Sequence, residues 1–465
     1  MTFKERLNKT KEQLDGVSKS FCLAKWKQVT IHLQNGHTHS CHHPRTHKIP
    51  LDELKKNPSA LHNTNIKKQA RKEMLEGKRP SECDYCWNIE DTPGSHFSDR
   101  HLKSNDVWAL PHFNEIKEMP WDADVNPSYV EVSFSNVCNF KCAYCAPHIS
   151  SKWMEEIKQY GPYPTLYKFN NLEWVEQAKQ TPIPHNQYNP YVEAFWKWWP
   201  ELYNDLHTFR ITGGEPLLSK DTFKVLDYII ENPNPNLELG INSNLGVPNE
   251  IYNKFIEKLK IIGRENKLKK ITIFTSVDTA GLQAEYIRYG LNYNNMMDNL
   301  DYLLDCKIPN LKTTVMCTFN ALSITNYNQL LKNISDLRIK HYAPDIGRHM
   351  PINLDIPYLR HPEHLSVQIL TQEYLEMVEK SIQYMKTLDE EKIGYYVGYF
   401  DYEIQKLERL YDWMKEEKNP IWLSQMRKDF YNYFNEYDRR RNLNFLETFP
   451  EMEDFWNICK KEAEK

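Results

Sequence analysis

The sequence predicts an α/β protein: parallel strands joined by helical crossovers and arranged as an open sheet or a barrel. Three observations carry this prediction. Strand-like segments alternate with helix-period segments four times between residues 207 and 336. The chain has 465 residues, which suits one large α/β domain with additions, or two to three domains. Its densest chemistry, Cys138-Asn139-Phe140-Lys141-Cys142-Ala143-Tyr144-Cys145, directly follows a strand, and strand ends are where such folds keep their sites.

Composition narrows the class. A net charge of −4, from 59 basic and 63 acidic residues, gives no electrostatic case for nucleic acid. Aromatic residues make up 13%, with 28 Tyr and 12 Trp, and read as helix-packing side chains. The start Met1-Thr2-Phe3-Lys4-Glu5-Arg6 has no apolar core, so no signal peptide is expected. No run of about 18 apolar residues predicts a membrane span. Ten cysteines without a secretion signal point to a reducing cytoplasm, where clustered cysteines bind metal or do redox chemistry.

Residues 1–20 are a polar N-terminal segment, followed by a region 21–95. There Phe21-Cys22 precedes a strand-like Gln28-Val29-Thr30-Ile31-His32-Leu33 and an Asn35-Gly36 turn. His37, His39, Cys41, His42, His43 and His47 crowd the next stretch; these histidines, with His62, read as a solvated surface loop and scattered surface positions. Residues 51–77 read as one helix stopped by Gly77, just before Cys83-Asp84-Tyr85-Cys86. Short helices and Pro93-Gly94 lead into a linker at 96–128. The main domain spans 129–350 and opens on strand 129–135, whose residues alternate apolar and polar. Five prolines between 162 and 190 mark an insertion or lid at 160–190. Phe195-Trp196-Lys197-Trp198-Trp199 is read as a packed helix face, with a substrate wall as the alternative. Strands then fall at 207–212, 237–242, 271–277 and 313–319, with helices at 220–231, 248–260, 292–305 and 325–336. A sixth strand is expected near 340–352, which leaves the set short of an eight-fold barrel. Residues 351–465 are helical and aromatic, and Arg439 to Arg441 read as an exposed helix end.

Three thiolates on one short loop can hold a metal centre from one side, but a closed site needs four protein ligands. Cys138, Cys142 and Cys145 have no fourth partner nearby in sequence, so the question is whether a coordination position stays free. Upstream, Cys22, Cys41, Cys83 and Cys86 make a set of four, the count for a fully ligated iron–sulfur cluster or a structural zinc. At a later strand end stands Thr212-Gly213-Gly214-Glu215-Pro216. Two glycines let backbone approach a ligand closely, and carbonyls beside a carboxylate suit a ligand ammonium.

With these motifs in place the chain resembles the radical SAM superfamily. That family carries a CxxxCxxC loop after the first strand of a partial (β/α)6, TIM-like barrel, with an aromatic residue before the third cysteine, where Tyr144 stands here. The resemblance implies that Cys138, Cys142 and Cys145 ligate three irons of a [4Fe–4S] cluster. S-adenosylmethionine (SAM) chelates the fourth, and Gly213, Gly214, Glu215 and Pro216 hold its methionine ammonium. It implies reductive cleavage of SAM to a 5′-deoxyadenosyl radical that takes hydrogen from a substrate. It also assigns SAM contacts to Ser243 and Asn244, and to Ser276, Asp278 and Arg288 either SAM contacts or the ordering of the site, with Asn320 a weaker candidate. The pattern of Cys22, Cys41, Cys83 and Cys86 is similar to the auxiliary-cluster region of SPASM or twitch domains, although those usually follow the barrel. The whole layout looks like twitch-domain-containing radical SAM proteins, often met in phage-like sequences.

The expectation is therefore a radical SAM enzyme with a second, auxiliary [4Fe–4S] cluster. Its substrate is a peptide or protein side chain, or a small metabolite, and its reductant is a flavodoxin or ferredoxin. The competing reading is a zinc-stabilised, non-catalytic binding protein, which leaves the three local cysteines and the Gly-Gly-Glu-Pro turn unexplained.

Overall fold

The computed structural model describes residues 1–94, 96–343, 350–388 and 398–465. It is mixed α/β with a largely parallel sheet and a helical C-terminal region, the fold class the sequence predicts. Two compact units are distinguished. The first holds 1–136, 178–240 and 267–270, and the second holds 137–177, 241–266 and 271–465.

In the first unit the strands are β1 (Gln28–His32), β2 (His37–His39), β3 (His47–Lys48), β4 (Tyr129–Ser133), β5 (Thr208–Thr212) and β6 (Asn234–Ser243, as far as Gly240). Their order is β6-β5-β4-β1-β2-β3. β1 runs parallel to β4, Gln28 opposite Tyr129 and His32 opposite Ser133. β4 runs parallel to β5, Tyr129 opposite Thr208 and Ser133 opposite Thr212. Side chains alternate along each strand. One face thus carries Val29, Ile31, Val130, Val132, Phe209 and Ile211, all buried. The other carries Gln28, Thr30, Glu131, Ser133, Arg210 and Thr212. On the helix Pro190–Asp205, Asn189 caps the first amides and Pro190 sits where no N–H is needed. Its Phe195, Trp198 and Trp199 are buried, Trp199 against Phe209 at 4.8 Å, so this run is a packed face.

Two expectations in this unit are corrected. The helix 51–77 is broken into Leu51–Lys56, a 3-10 turn Pro58–Leu61 and Asn65–Leu75. Pro58 cannot continue a helix, and Thr64 restarts one by accepting from the Lys67 amide. Not all of the histidines are surface positions: His42 is exposed in the bend between β2 and β3, but His37 and His39 lie within β2. His37 and His39 are buried and His62 fully so. His37 bonds Thr46 and the Lys179 carbonyl, and His62 bonds the Trp26 carbonyl. Burial pushes His39 down to about 4 and the half-buried His47 to about 3, so these imidazoles are neutral at neutral pH.

In the second unit β7 (Leu268–Ser276, from Ile271), β8 (Leu311–Met316) and β9 (Ile352–Asp355) pair in the order β9-β8-β7. β8 is parallel to both neighbours. β9 is a further parallel strand, but it lies almost wholly beyond the expected 340–352, whose first two residues end the helix Tyr327–His341. It starts at Ile352, and residues 344–349 of that expectation lie outside the described residues. The helices following the main strands are Lys220–Glu231 in the first unit, then Asn249–Arg264, Tyr293–Asp305 and Tyr327–His341 in the second. Lys220–Glu231 and Tyr293–Asp305, capped by Ser219 and Asn292, match their sequence reading closely because caps and apolar period are local signals, whereas Tyr327–His341 runs past its expected end at 336.

The C-terminal helices are Glu373–Thr387, Asp401–Lys415, Pro420–Arg441 and Glu453–Glu464. A fully buried ion pair, Arg338 to Glu403 at 2.7 Å, ties the second of them, Asp401–Lys415, to the helix Tyr327–His341. Arg439 is exposed, but Arg440 and Arg441 are not an exposed helix end. Their side chains are 1% and 0% exposed and meet Glu156 at 3.6 and 2.8 Å. Among the described residues no helix is long and apolar enough to cross a membrane.

Candidate functional site

Cys138, Cys142 and Cys145 are free cysteines, each partly accessible. Serines and a tryptophan at the start of the helix Ser151–Tyr160 hold their loop from behind. The Ser151 hydroxyl accepts from the Cys138 amide at 3.2 Å. The Ser150 hydroxyl donates to the Phe140 carbonyl at 3.0 Å, and Trp153 Nε1 donates to the Cys142 carbonyl at 2.9 Å. A two-residue antiparallel bridge sets Lys141 and Cys142 against Tyr289 and Arg288. The thiols are close enough to perturb one another. Burial, then the neighbouring Cys142 and Cys138, push the Cys145 thiol up. Burial also raises Cys142, opposed by the Arg288 guanidinium.

Behind Cys142 lies a buried charge network. Arg288 grips Asp278 with two bonds, Nε at 2.8 Å and Nη2 at 3.0 Å, the fork geometry that fits a carboxylate. The same carboxylate accepts from the Tyr144 hydroxyl at 2.8 Å and the Thr318 amide at 3.0 Å. Arg288 Nη1 stands 3.8 Å from Cys142 Sγ. The sequence-predicted Tyr144, Asp278 and Arg288 are thus one cluster in contact with a cysteine ligand candidate. Ser276 ends β7 half-buried, outside the bonds just described. Asn244 Nδ2 donates to Asn139 Oδ1 at 2.9 Å inside the cysteine loop, and Ser243 Oγ accepts from the Leu245 amide at 3.1 Å. Asn320 bonds its own turn, through the Thr318 carbonyl and the Leu322 amide.

The Gly213–Pro216 turn belongs to the first unit. Gly213 has φ +124°, and a Cβ there would lie 2.6 Å from Ser133 Oγ and 2.9 Å from the Ser135 carbonyl. Only glycine fits such an approach. Gly214 donates to the Ser135 carbonyl at 3.2 Å. Glu215 is buried, and one of its oxygens accepts from the Leu217 amide at 3.1 Å.

Cys22, Cys41, Cys83 and Cys86 line one small pocket, with Lys25 and Arg100. Burial raises all four thiols, to about 11 for Cys41, 12 for Cys83 and 11 for Cys86. In each case another cysteine of the set adds to the effect. Sequence reasoning passed over the cations behind this cavity. Lys25, Lys67 and Arg71 are buried. Lys25 pairs with Glu82, but Lys67 donates to the Thr38 hydroxyl at 2.7 Å. Arg71 donates to the Lys25 and Ala123 carbonyls and to Asn63. Only their spacing along one helix, Lys67 and Arg71 at i and i+4, could have hinted that they share a face. Among the described residues no three His, Cys, Asp or Glu side chains are placed to hold a single metal ion.

Residues 132–328 match the model of the Radical SAM superfamily, and the chain carries a radical SAM domain, which implies a [4Fe–4S] cluster and SAM. Two curated relatives are GTP 3′,8-cyclases. That of Nautilia profundicola is 24% identical over 206 residues, 44% of this chain and 52% of the relative. That of Aliarcobacter butzleri is 28% identical over 154 residues, 32% of this chain and 34% of the relative. The chain therefore spans about half the length of the first and a third of the second. Among solved structures, Streptococcus suis SuiB bound to the precursor peptide SuiA shares 13% identity at a TM-score of 0.34, covering 78% of this chain and 70% of SuiB. SuiB bound to S-adenosylmethionine gives the same identity and score over 77% and 68%.

The donor set fits the implied cluster. Three thiols on one loop are soft ligands of the type that bind iron–sulfur centres, and the guanidinium beside Cys142 favours its thiolate.

Proposed function

We propose that this chain is a radical SAM enzyme with a second, auxiliary [4Fe–4S] cluster, acting on a peptide or protein side chain. The observation that carries the proposal is the matched domain with its Cys138, Cys142 and Cys145 loop, backed by the Arg288–Asp278–Tyr144 network. When bound, the cluster and SAM supply a one-electron cleavage that yields a 5′-deoxyadenosyl radical.

The chain's own residues do the rest. Cys138, Cys142 and Cys145 hold three irons. Arg288 places a fixed positive charge beside Cys142, and Asp278 holds that charge in position. Gly213, Gly214, Glu215 and Pro216 would hold the SAM methionine ammonium. Asn244 fixes Asn139, and with it the start of the cysteine loop.

The four upstream cysteines hold the auxiliary cluster in this reading. Support comes from the one pocket they share and from the buried cations beside it. Lys25 and Arg100 line that pocket, and buried positive charge is stabilised by negative charge placed beside it. A four-thiolate centre brings net negative charge to that place. With all four ligands from protein, this centre relays electrons or stiffens the fold. The peptide substrate rests on the similarity of this region to twitch and SPASM domains. A flavodoxin or ferredoxin supplies the electron.

Anaerobic reconstitution followed by dithionite and SAM tests the proposal. Two clusters' worth of iron and sulfide and formation of 5′-deoxyadenosine are expected, and Cys142→Ala abolishes the product. An intact cluster that gives no 5′-deoxyadenosine would sink the reading, and stoichiometric zinc at the four upstream cysteines would remove the auxiliary cluster from it.

A further inference from the structure

We propose that the C-terminal helix Pro420–Arg441, outside the matched residues 132–328, is part of the cysteine-loop machinery, and that Tyr433 and Arg441 are positioning residues for the loop. The proposal rests on the reading of that loop as the cluster loop.

Tyr433 is fully buried, and its hydroxyl donates to the Ala143 carbonyl at 2.6 Å. Ala143 lies between Cys142 and Tyr144. Its amide is held too, donating to the Ile287 carbonyl at 2.7 Å. Both backbone groups of the residue next to a ligand are therefore fixed, one of them by a side chain 290 positions away. A tyrosine needed only for packing would be phenylalanine at no loss, because a buried hydroxyl must find a partner. The partner it finds is the loop.

The end of the same helix acts on the other flank of Cys142. Arg441 Nη2 meets Glu156 Oε2 at 2.8 Å, with both side chains buried. Glu156 also pairs with Lys141, at 2.8 Å, and Lys141 immediately precedes Cys142. Tyr163 closes the group: it donates to Glu156 at 2.6 Å and accepts from Arg441 at 2.8 Å. Its ring packs on Tyr433 at 4.6 Å. One carboxylate thus joins the loop's lysine to the helix's arginine, and a helix end that would ordinarily be solvated is turned inward.

Three thiolates must keep a fixed spacing to accept a cluster, and a short irregular loop has little internal bonding to keep it. Helix Ser151–Tyr160 ties the Cys138, Phe140 and Cys142 backbone. Helix Pro420–Arg441 supplies the tie at Ala143.

The test uses the full chain and Tyr433→Phe, which removes one hydroxyl and keeps the ring. In metal-free protein, amide hydrogen exchange at Ala143 to Cys145 should speed up at least ten-fold while exchange in strands β4 and β8 is unchanged. In reconstituted protein, the electron paramagnetic resonance signal of the reduced loop cluster with SAM should shift or broaden. Tyr431→Phe serves as control, because Tyr431 packs on Trp456, and it should do neither. If Tyr433→Phe fails to fold, Arg441→Lys keeps the charge, loses the fork and should give the same exchange signature. Wild-type exchange and spectrum in the variants would overturn the proposal. A wild-type chain that takes up no cluster would instead sink the functional reading, while the metal-free exchange result would still decide whether the helix fixes the loop.

Discussion

Replacing Asp278 by Asn should be the most damaging single isosteric change at the cysteine-loop site. Asp278 is fully buried and accepts four hydrogen bonds, two from Arg288 and one each from Tyr144 and Thr318. An asparagine keeps the shape, but it removes the charge and turns one acceptor into a donor facing donors. Arg288, 7% exposed in its side chain, then carries a buried charge without a carboxylate. Breaking a buried pair from one side costs about 3–5 kcal/mol. In metal-free protein this should appear as a large fall in the urea midpoint at unchanged slope. Loading the cluster should return part of the loss, because the Cys142 thiolate stands 3.8 Å from the guanidinium and becomes its counter-charge. The double variant Asp278→Asn with Arg288→Gln removes both charges and should be more stable than Asp278→Asn alone. A loss under about 1 kcal/mol in the metal-free single variant, well below the cost of a broken buried pair, would refute the reasoning, as would a double variant no better than the single.

Glu156 gives a pH prediction. Burial pushes its carboxyl up, but Arg441, Lys141 and Tyr163 outweigh that and hold it below its ordinary value of 4.5. Its stability contribution is therefore fully present above that value and is lost as pH falls through the lowered one, so Glu156→Gln should flatten the acid side of the stability profile measured by urea unfolding. Cys83→Ala should remove about half the iron, four atoms of eight in the two-cluster reading, while 5′-deoxyadenosine formation remains detectable. Gly213→Ala places a methyl 2.6 Å from Ser133 Oγ at φ +124°. It should weaken SAM binding by about ten-fold or more in equilibrium dialysis, the 1.4 kcal/mol scale of one strained backbone position.

Local signals made much of the fold legible. The helix Lys220–Glu231 was readable to the residue because Ser219 caps it and its apolar stripe is regular. The Cys138 to Cys145 loop was readable because ligand spacing is a short-range property. Long-range pairing was not. Nothing near His37 and His39 signals that their strand lies against β1 and is roofed over. Nothing near Arg441 names Glu156, 285 positions earlier, as its partner. Asp278 and Arg288 were picked out by resemblance, yet the structure adds that they hold each other and Tyr144. The cations Lys25, Lys67 and Arg71 were missed because lysine and arginine ordinarily belong to the surface.

The pairing of β1 with β4 bears on how the chain comes to be made. Gln28 waits for Tyr129 to find its register, so the first hundred residues leave the ribosome before the strand they need. All four upstream cysteines are synthesised in that interval, ahead of Cys138, and can meet iron while the later loop does not yet exist. The same pairing makes the upstream region hard to trim away. Deleting it would strip the neighbour from β4 and leave an open strand edge, so a shortened chain beginning at Tyr129 should aggregate rather than fold into a smaller protein.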